Sequence, residues 1–261
     1  MLATARRRKI LELIQAEGSI LVSEMSKRFQ VTEETIRRDL DKLESEGKVI
    51  RTHGGAIINE ARPVEIPLEF RAIERLEQKR AIAKEAVKLI QAEDCIALDA
   101  STTAWQMAKI LPDLPITVVT NSVKVVMELA HKENIQVVSV GGTLVSRSLS
   151  FVGPLTERSI EGYHVQKCFL SCGGLHPRHG LSELTEEQAR VKEKMIQNAD
   201  KAILLIDSSK FGVRSFTRIV GLDAIDILIT DDEADADVVE AVRRFVPQVQ
   251  LVNTMSQSPD R

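Results

Sequence analysis

From residue 95 onward, short apolar runs recur along the chain, each followed by a stretch with helical spacing. Cys95-Ile96-Ala97-Leu98, Ile116-Thr117-Val118-Val119-Thr120, Gln136-Val137-Val138-Ser139-Val140, Lys167-Cys168-Phe169-Leu170, Ala202-Ile203-Leu204-Leu205-Ile206 and Ile227-Leu228-Ile229-Thr230 are too short for helices. Most lack the alternation of a half-exposed strand, as expected of strands buried on both faces. Strand–helix alternation of this kind predicts an α/β domain with an open, mostly parallel sheet. Gln250-Leu251-Val252 adds an edge strand. Such sheets bind ligands just beyond the carboxyl ends of their strands. The residues at those ends are therefore the first place to look for chemistry.

They are polar. Leu98-Asp99-Ala100-Ser101-Thr102-Thr103 leads into a helix beginning near Ala104-Trp105. Hydroxyls beside free backbone N–H groups at a helix N-terminus form an anion site. Thr120-Asn121-Ser122 repeats the arrangement, and Gly141-Gly142 and Ser171-Cys172-Gly173-Gly174 follow two further strands. One such group is ordinary capping or turn chemistry. Four in register, with Lys192, Asp207 and Lys210 adding charge, read as a site for a small phosphorylated polyol.

The first sixty residues follow a different pattern. The chain has 261 residues, enough for two domains, and carries a formal net charge of −3. That sum hides an asymmetry. Residues 1–58 hold 11 Lys and Arg against 9 Asp and Glu, with cations clustered at Arg6-Arg7-Arg8-Lys9, Lys27-Arg28 and Arg37-Arg38. Clustered cations make an electrostatic footprint for nucleic acid even on an acidic chain. With no apolar run of about 20 residues and no secretory segment, a cytoplasmic protein without membrane contact is expected. Cys95, Cys168 and Cys172 lack paired spacing, and the histidines lack metal-ligand spacing. No disulfide, metal or cofactor is implied.

Ile10, Leu11, Leu13 and Ile14 mark a first helix closed by Gly18, and Met25 and Phe29 mark a second. Thr32 is an N-cap for a third, with Glu33-Glu34 in its first turn and Ile36, Leu40 and Leu43 on its buried stripe. Gly47 ends that helix, and Val49 to Ile57 reads as two strands around a glycine turn. Helix, helix, turn, helix and hairpin is the order of a winged helix-turn-helix. With the apolar stripe inward, Thr35, Arg37 and Arg38 face solvent, where they can meet base edges or phosphates in a major groove. Arg51 and His53 sit on the wing, and Ser23 and Thr32 complete the DNA-contacting candidates. Asp39 departs from this basic face, and its expected role is an intrahelical partner for Arg38 or Lys42.

Val22-Ser23-Glu24-Met25, Val31-Thr32-Glu33-Glu34-Thr35-Ile36-Arg37-Arg38-Asp39-Leu40, Leu43-Glu44 and Arg51-Thr52-His53-Gly54-Gly55-Ala56 resemble the DeoR-type bacterial transcription regulators. The resemblance continues through Leu98 to Thr103, Thr120-Asn121, Gly141-Gly142, Gly153-Pro154 and Asp207-Ser208-Ser209-Lys210-Phe211-Gly212. It implies an effector domain similar in fold to ribose-5-phosphate isomerase, binding a sugar phosphate through Asp99, Ser101, Thr102, Thr103 and Lys210. It also implies a regulator of sugar utilisation, a repressor, acting on operator DNA as a dimer or tetramer. The competing reading is a sugar-phosphate isomerase-like enzyme fused to a DNA-binding module. Aligned on Asp207 to Lys210, the isomerase family's base falls on Lys192 and its paired aspartates fall on Ser171 and Gly174. All three carboxylates are lost, although Glu183, Glu187 or Glu193 could substitute. Expected boundaries are 1–57 for the DNA-binding domain, 58–68 for a linker, 69–255 for the effector domain and 256–261 for a disordered tail. One charged helix is expected from Glu69 to Gln91.

Overall fold

In the N-terminal unit, helix α1 (Ala3–Glu17) leads through β1 (Ser19–Leu21) into α2 (Val22–Phe29), α3 (Glu33–Ser45) and a hairpin of β2 (Val49–Thr52) and β3 (Gly55–Ile58). The computed structural model describes residues 3–45, 48–58 and 65–254. Gly47, most of the expected linker and the expected tail lie outside them. The three strands form an antiparallel sheet in the order β1-β3-β2. Ile10, Ile14, Met25, Ile36, Leu40 and Leu43 make one core beneath it. The hairpin turns on His53-Gly54, because Thr52 pairs with Gly55. Glycine is required at 55, where a Cβ would lie 1.9 Å from the Ile20 carbonyl oxygen.

Asp39 is not an intrahelical partner for Arg38 or Lys42. It is buried, and its Oδ2 accepts from Arg6 Nε of α1 at 2.5 Å. Position 39 falls three residues after Ile36 on the inward face of α3, so its carboxylate needs a partner from the core side. Arg6 leaves the basic surface to supply it.

The helix expected from Glu69 to Gln91 is two helices, α4 (Leu68–Ile73) and α5 (Leu76–Val87). The break is Arg75, a non-glycine residue at φ 49°. Two compact units divide there, after Glu74, so α4 groups with the first unit. Phe70 of α4 is buried, and its ring closes on Gly55.

The second unit runs through α5, β4 (Cys95–Leu98), α6 (Thr102–Ile110), β5 (Ile116–Thr120), α7 (Val123–Leu129), β6 (Ile135–Ser139), a hairpin of β7 (Thr143–Val145) and β8 (Ser150–Val152), α8 (Pro154–Glu161) and β9 (Val165–Leu170). It continues with β10 (Gly174–His176), β11 (Gly180–Glu183), α9 (Glu186–Gln197), β12 (Ala199–Leu205), β13 (Thr217–Arg218), β14 (Ile227–Asp231), α10 (Ala236–Arg243) and β15 (Gln248–Val252). Seven strands form one sheet in the order β15-β14-β12-β9-β4-β5-β6, and every pairing is parallel. Ile96, Leu98, Phe169, Ile203 and Leu205 fill one face, while Ala97, Cys168, Leu170 and Leu204 fill the other. Two buried faces explain the unalternating runs of the sequence. The small sheet β10-β11-β13 and the β7–β8 hairpin lie outside the parallel sheet and are not among the apolar runs read in the sequence.

Candidate functional site

The recognition surface follows from the third helix. Thr32 caps α3, accepting from the Thr35 backbone N–H at 3.3 Å, and its hydroxyl lies 2.9 Å from that of Thr35. Ser23, Arg37 and Arg38 are exposed and Thr35 is half-buried. Arg37 rests on Glu33 at 2.7 Å and Arg38 on Glu34 at 3.2 Å. Both are exposed one-turn pairs, weak enough for a phosphate or base to displace. Arg51 is engaged differently. Its guanidinium donates to Asp41 and to the Gly55 carbonyl, and its backbone N–H donates to Glu44, fastening the wing to α3. His53 stands exposed at the wing tip.

The polar residues of the larger unit collect where β4, β9, β5 and β12 end. Asp99 is fully buried and divides its two oxygens. Oδ1 accepts from the Ser101 backbone N–H at 3.1 Å, and Oδ2 accepts from the Ser171 N–H at 3.0 Å and Lys192 Nζ at 2.5 Å. Lys192 also donates to the Ser171 carbonyl and lies 3.5 Å from Glu183. Burial alone would push the Lys192 ammonium down. The Asp99 and Glu183 carboxylates, with the Asp99 hydrogen bond, outweigh it and hold its pKa above the usual lysine range. Ser101 caps α6 and Ser122 caps α7, and the Ser101, Thr102 and Thr103 side chains are buried.

Asn121 donates to the Phe151 carbonyl, while its buried Oδ1 has no partner among the described residues. Asp207 accepts from the Ser209 N–H and pairs with Arg75 at 3.1 Å. Arg75 further reaches Ser208, Asp231 and Glu233, so it braces the turn that carries Lys210. Gly173 sits where a Cβ would come within 3.0 Å of both Ser215 Oγ and Glu183 Oε1. Gly141 and Gly142 are exposed and follow β6, the edge strand two places from β4. Gly142 has a packing reason for its identity: φ is 143° and a Cβ would lie 2.0 Å from Thr156 Oγ1.

Residues 6–62 match the DeoR-like helix-turn-helix domain, and residues 74–232 match the DeoR C terminal sensor domain. The chain belongs to the DeoR family. It is a transcriptional regulator with an N-terminal DNA-binding helix-turn-helix and a C-terminal α/β sensor domain. Among relatives of this DeoR protein, an uncharacterized HTH-type transcriptional regulator of Bacillus subtilis, YulB, is 52% identical, covering 93% of this chain and 94% of the relative. The L-fucose operon activator of Haemophilus influenzae is 36% identical over 85% of this chain and 89% of its own. The putative aga operon transcriptional repressor of Escherichia coli O157:H7 is 33% identical over 95% and 93%. Ribose 5-phosphate isomerase A of Methanocaldococcus jannaschii superposes on 51% of this chain and 53% of its own, at 20% identity and a TM-score of 0.38.

Within this DeoR chain, the sequence missed Gln188, Ser148 and Ser150. All three are buried and hydrogen-bonded together near the end of β5. A signal was present, since Gln188 stands four residues before Lys192 and so shares its helix face. Among the described residues, no three His, Cys, Asp or Glu side chains are placed to hold a metal ion, and no helix is long and apolar enough to cross a membrane.

Proposed function

We propose that the sensor domain binds a phosphorylated sugar without turning it over, and that occupancy changes operator binding by the helix-turn-helix. The observation that carries this reading is the buried Lys192–Asp99 pair. Lys192 stands where the isomerase alignment expects a carboxylate base, and its raised pKa keeps it a cation. An ammonium hydrogen-bonded to a carboxylate has no lone pair with which to accept the proton that isomerisation must move. Around it, the Ser101-Thr102-Thr103 loop at the start of α6 and Lys210 offer an anion donors and positive charge. Asp99, Asn121, Gly173 and Asp207 shape the loops, and Gly141 and Gly142 belong to this reading only as a more distant edge.

The regulated genes serve sugar utilisation, the relatives' names being those of L-fucose and aga operon regulators. The protein acts in the cytoplasm as a repressor and as a homo-oligomer, because one helix-turn-helix module reads only a single half-site. Ser23, Thr32, Thr35, Arg37, Arg38 and His53 meet DNA, and Arg51 holds the wing in place for them.

Trp105, the sole tryptophan, lies in the first turn of α6 two residues after Thr103, with its indole N–H donating to Glu128 of α7. Titrating the full chain with pentose and hexose phosphates should change its emission, and Lys210→Ala should remove the change. Conversion of any of these sugars to its isomer by the purified chain would refute the binder reading.

A further inference from the structure

Helix α9 presents two buried polar side chains to the sensor site. Lys192 serves the β4 and β9 loops, and Gln188, one turn earlier, serves the other end. Four residues separate them, a rise of about 6 Å along the helix. Gln188 Nε2 donates to Ser150 Oγ at 2.7 Å and to Ser148 Oγ at 3.0 Å, and the two hydroxyls are 2.9 Å apart. The β8 segment that carries Ser150 is sewn to the β5 loop. Ser150 bridges to Ser122, the Phe151 N–H donates to the Asn121 carbonyl, and the Val123 N–H donates to the Leu149 carbonyl. Gln188, Ser148, Ser150 and Asn121 therefore form one neutral polar wall.

Its hydrogen-bonding capacity is not used up. Both Nε2 hydrogens of Gln188 are committed to the two serines. The two serines hold two hydroxyl hydrogens, and only one can lie between them. Asn121 Oδ1 is buried and without a partner. A buried open acceptor on Asn121 and an open serine hydroxyl hydrogen are costly unless something completes them. The hydroxyls of a polyol, each both donor and acceptor, have the matching chemistry. Lys192 is engaged by Asp99 and the Ser171 carbonyl rather than by this wall.

We propose that Gln188, with Ser148, Ser150 and Asn121, reads the hydroxyl pattern of the sugar and sets which sugar phosphate is accepted, while the α6 loop and Lys210 take the phosphate. The proposal rests on the sugar-phosphate reading of the site given above. A site built to hydrogen-bond a hydroxyl rejects analogues that lack it far more strongly than an apolar pocket rejects a missing methylene.

Calorimetric titration of the full chain with inorganic phosphate, and with pentose and hexose phosphates including epimers and deoxy forms, tests it. Gln188→Ala should weaken the preferred sugar phosphate at least 10-fold and narrow the gap between epimers. The same variant should shift inorganic phosphate less than threefold, whereas Lys210→Ala should weaken both. Gln188→Glu, matched in shape, and Ser150→Ala give independent readings if the alanine variant melts early. Unchanged epimer selectivity in these variants, or equal weakening of phosphate and sugar phosphate, would overturn the hydroxyl-reading role alone. A wild-type chain that binds no sugar phosphate would overturn the effector reading and this role with it.

Discussion

Lys192 Nζ and Asp99 Oδ2 lie 2.5 Å apart with both side chains buried, joining α9 to the ends of β4 and β9. Removing one partner leaves an uncompensated buried charge, which costs about 3–5 kcal/mol. Lys192→Ala and Asp99→Ala should each lower the urea midpoint of the sensor domain accordingly. A midpoint shift equivalent to under about 1 kcal/mol would show that the pair is solvated.

The same pair has a pH signature. The Lys192 pKa is raised on folding, so its stabilisation is complete below the unfolded lysine value of about 10.4 and is lost only as pH climbs through the folded value. The stability difference between wild type and Lys192→Met should therefore stay constant from pH 7 to 9.5. A difference that shrinks across that range would mean the ammonium is not held by Asp99.

Two of the three cysteines should be silent. Burial pushes the Cys172 thiol up to about 12, helped by Glu183, and burial also raises Cys168, helped by Asp99. Thiolate is the reactive form. Iodoacetamide at pH 8 should modify only Cys95 in the native chain, with Cys168 and Cys172 labelled after denaturation. Mass spectrometry of the labelled peptides reads this directly.

In the DNA-binding unit, two arginines separate binding from folding. Arg38→Ala should leave the melting temperature unchanged and reduce discrimination between selected and random DNA about 10-fold or more, as expected for a base-edge contact. Arg6→Ala should instead destabilise the unit, because it strands the buried Asp39 carboxylate. Competition anisotropy and thermal melting distinguish the two outcomes.

Much of this architecture was legible because apolar periodicity is local. The seven strands of the parallel sheet and the inward stripe Ile36-Leu40-Leu43 each announce themselves within a few residues. The partners of polar residues are not local. Asp39 looked like an exposed helix residue until Arg6, 33 positions away, closed on it. Arg51 read as a wing cation, yet Asp41, Glu44 and Gly55 claim it. The Glu74–Arg75 break was hidden because the helical pattern continues through it, and only the reach of Arg75 to Asp207 and Asp231 explains it. Gln188 shares a helix face with Lys192, but its partner Ser150 lies on β8, whose three residues are too few for a period to register.

The most direct measurement is the affinity of the full chain for DNA it selects from a random pool, with and without each sugar phosphate of the panel. At least one sugar phosphate should change the dissociation constant fivefold or more, the usual scale of coupling between sites, and Lys210→Ala should abolish the change while binding DNA as the wild type does. Selected DNA held equally tightly in the presence of every sugar phosphate would contradict the account.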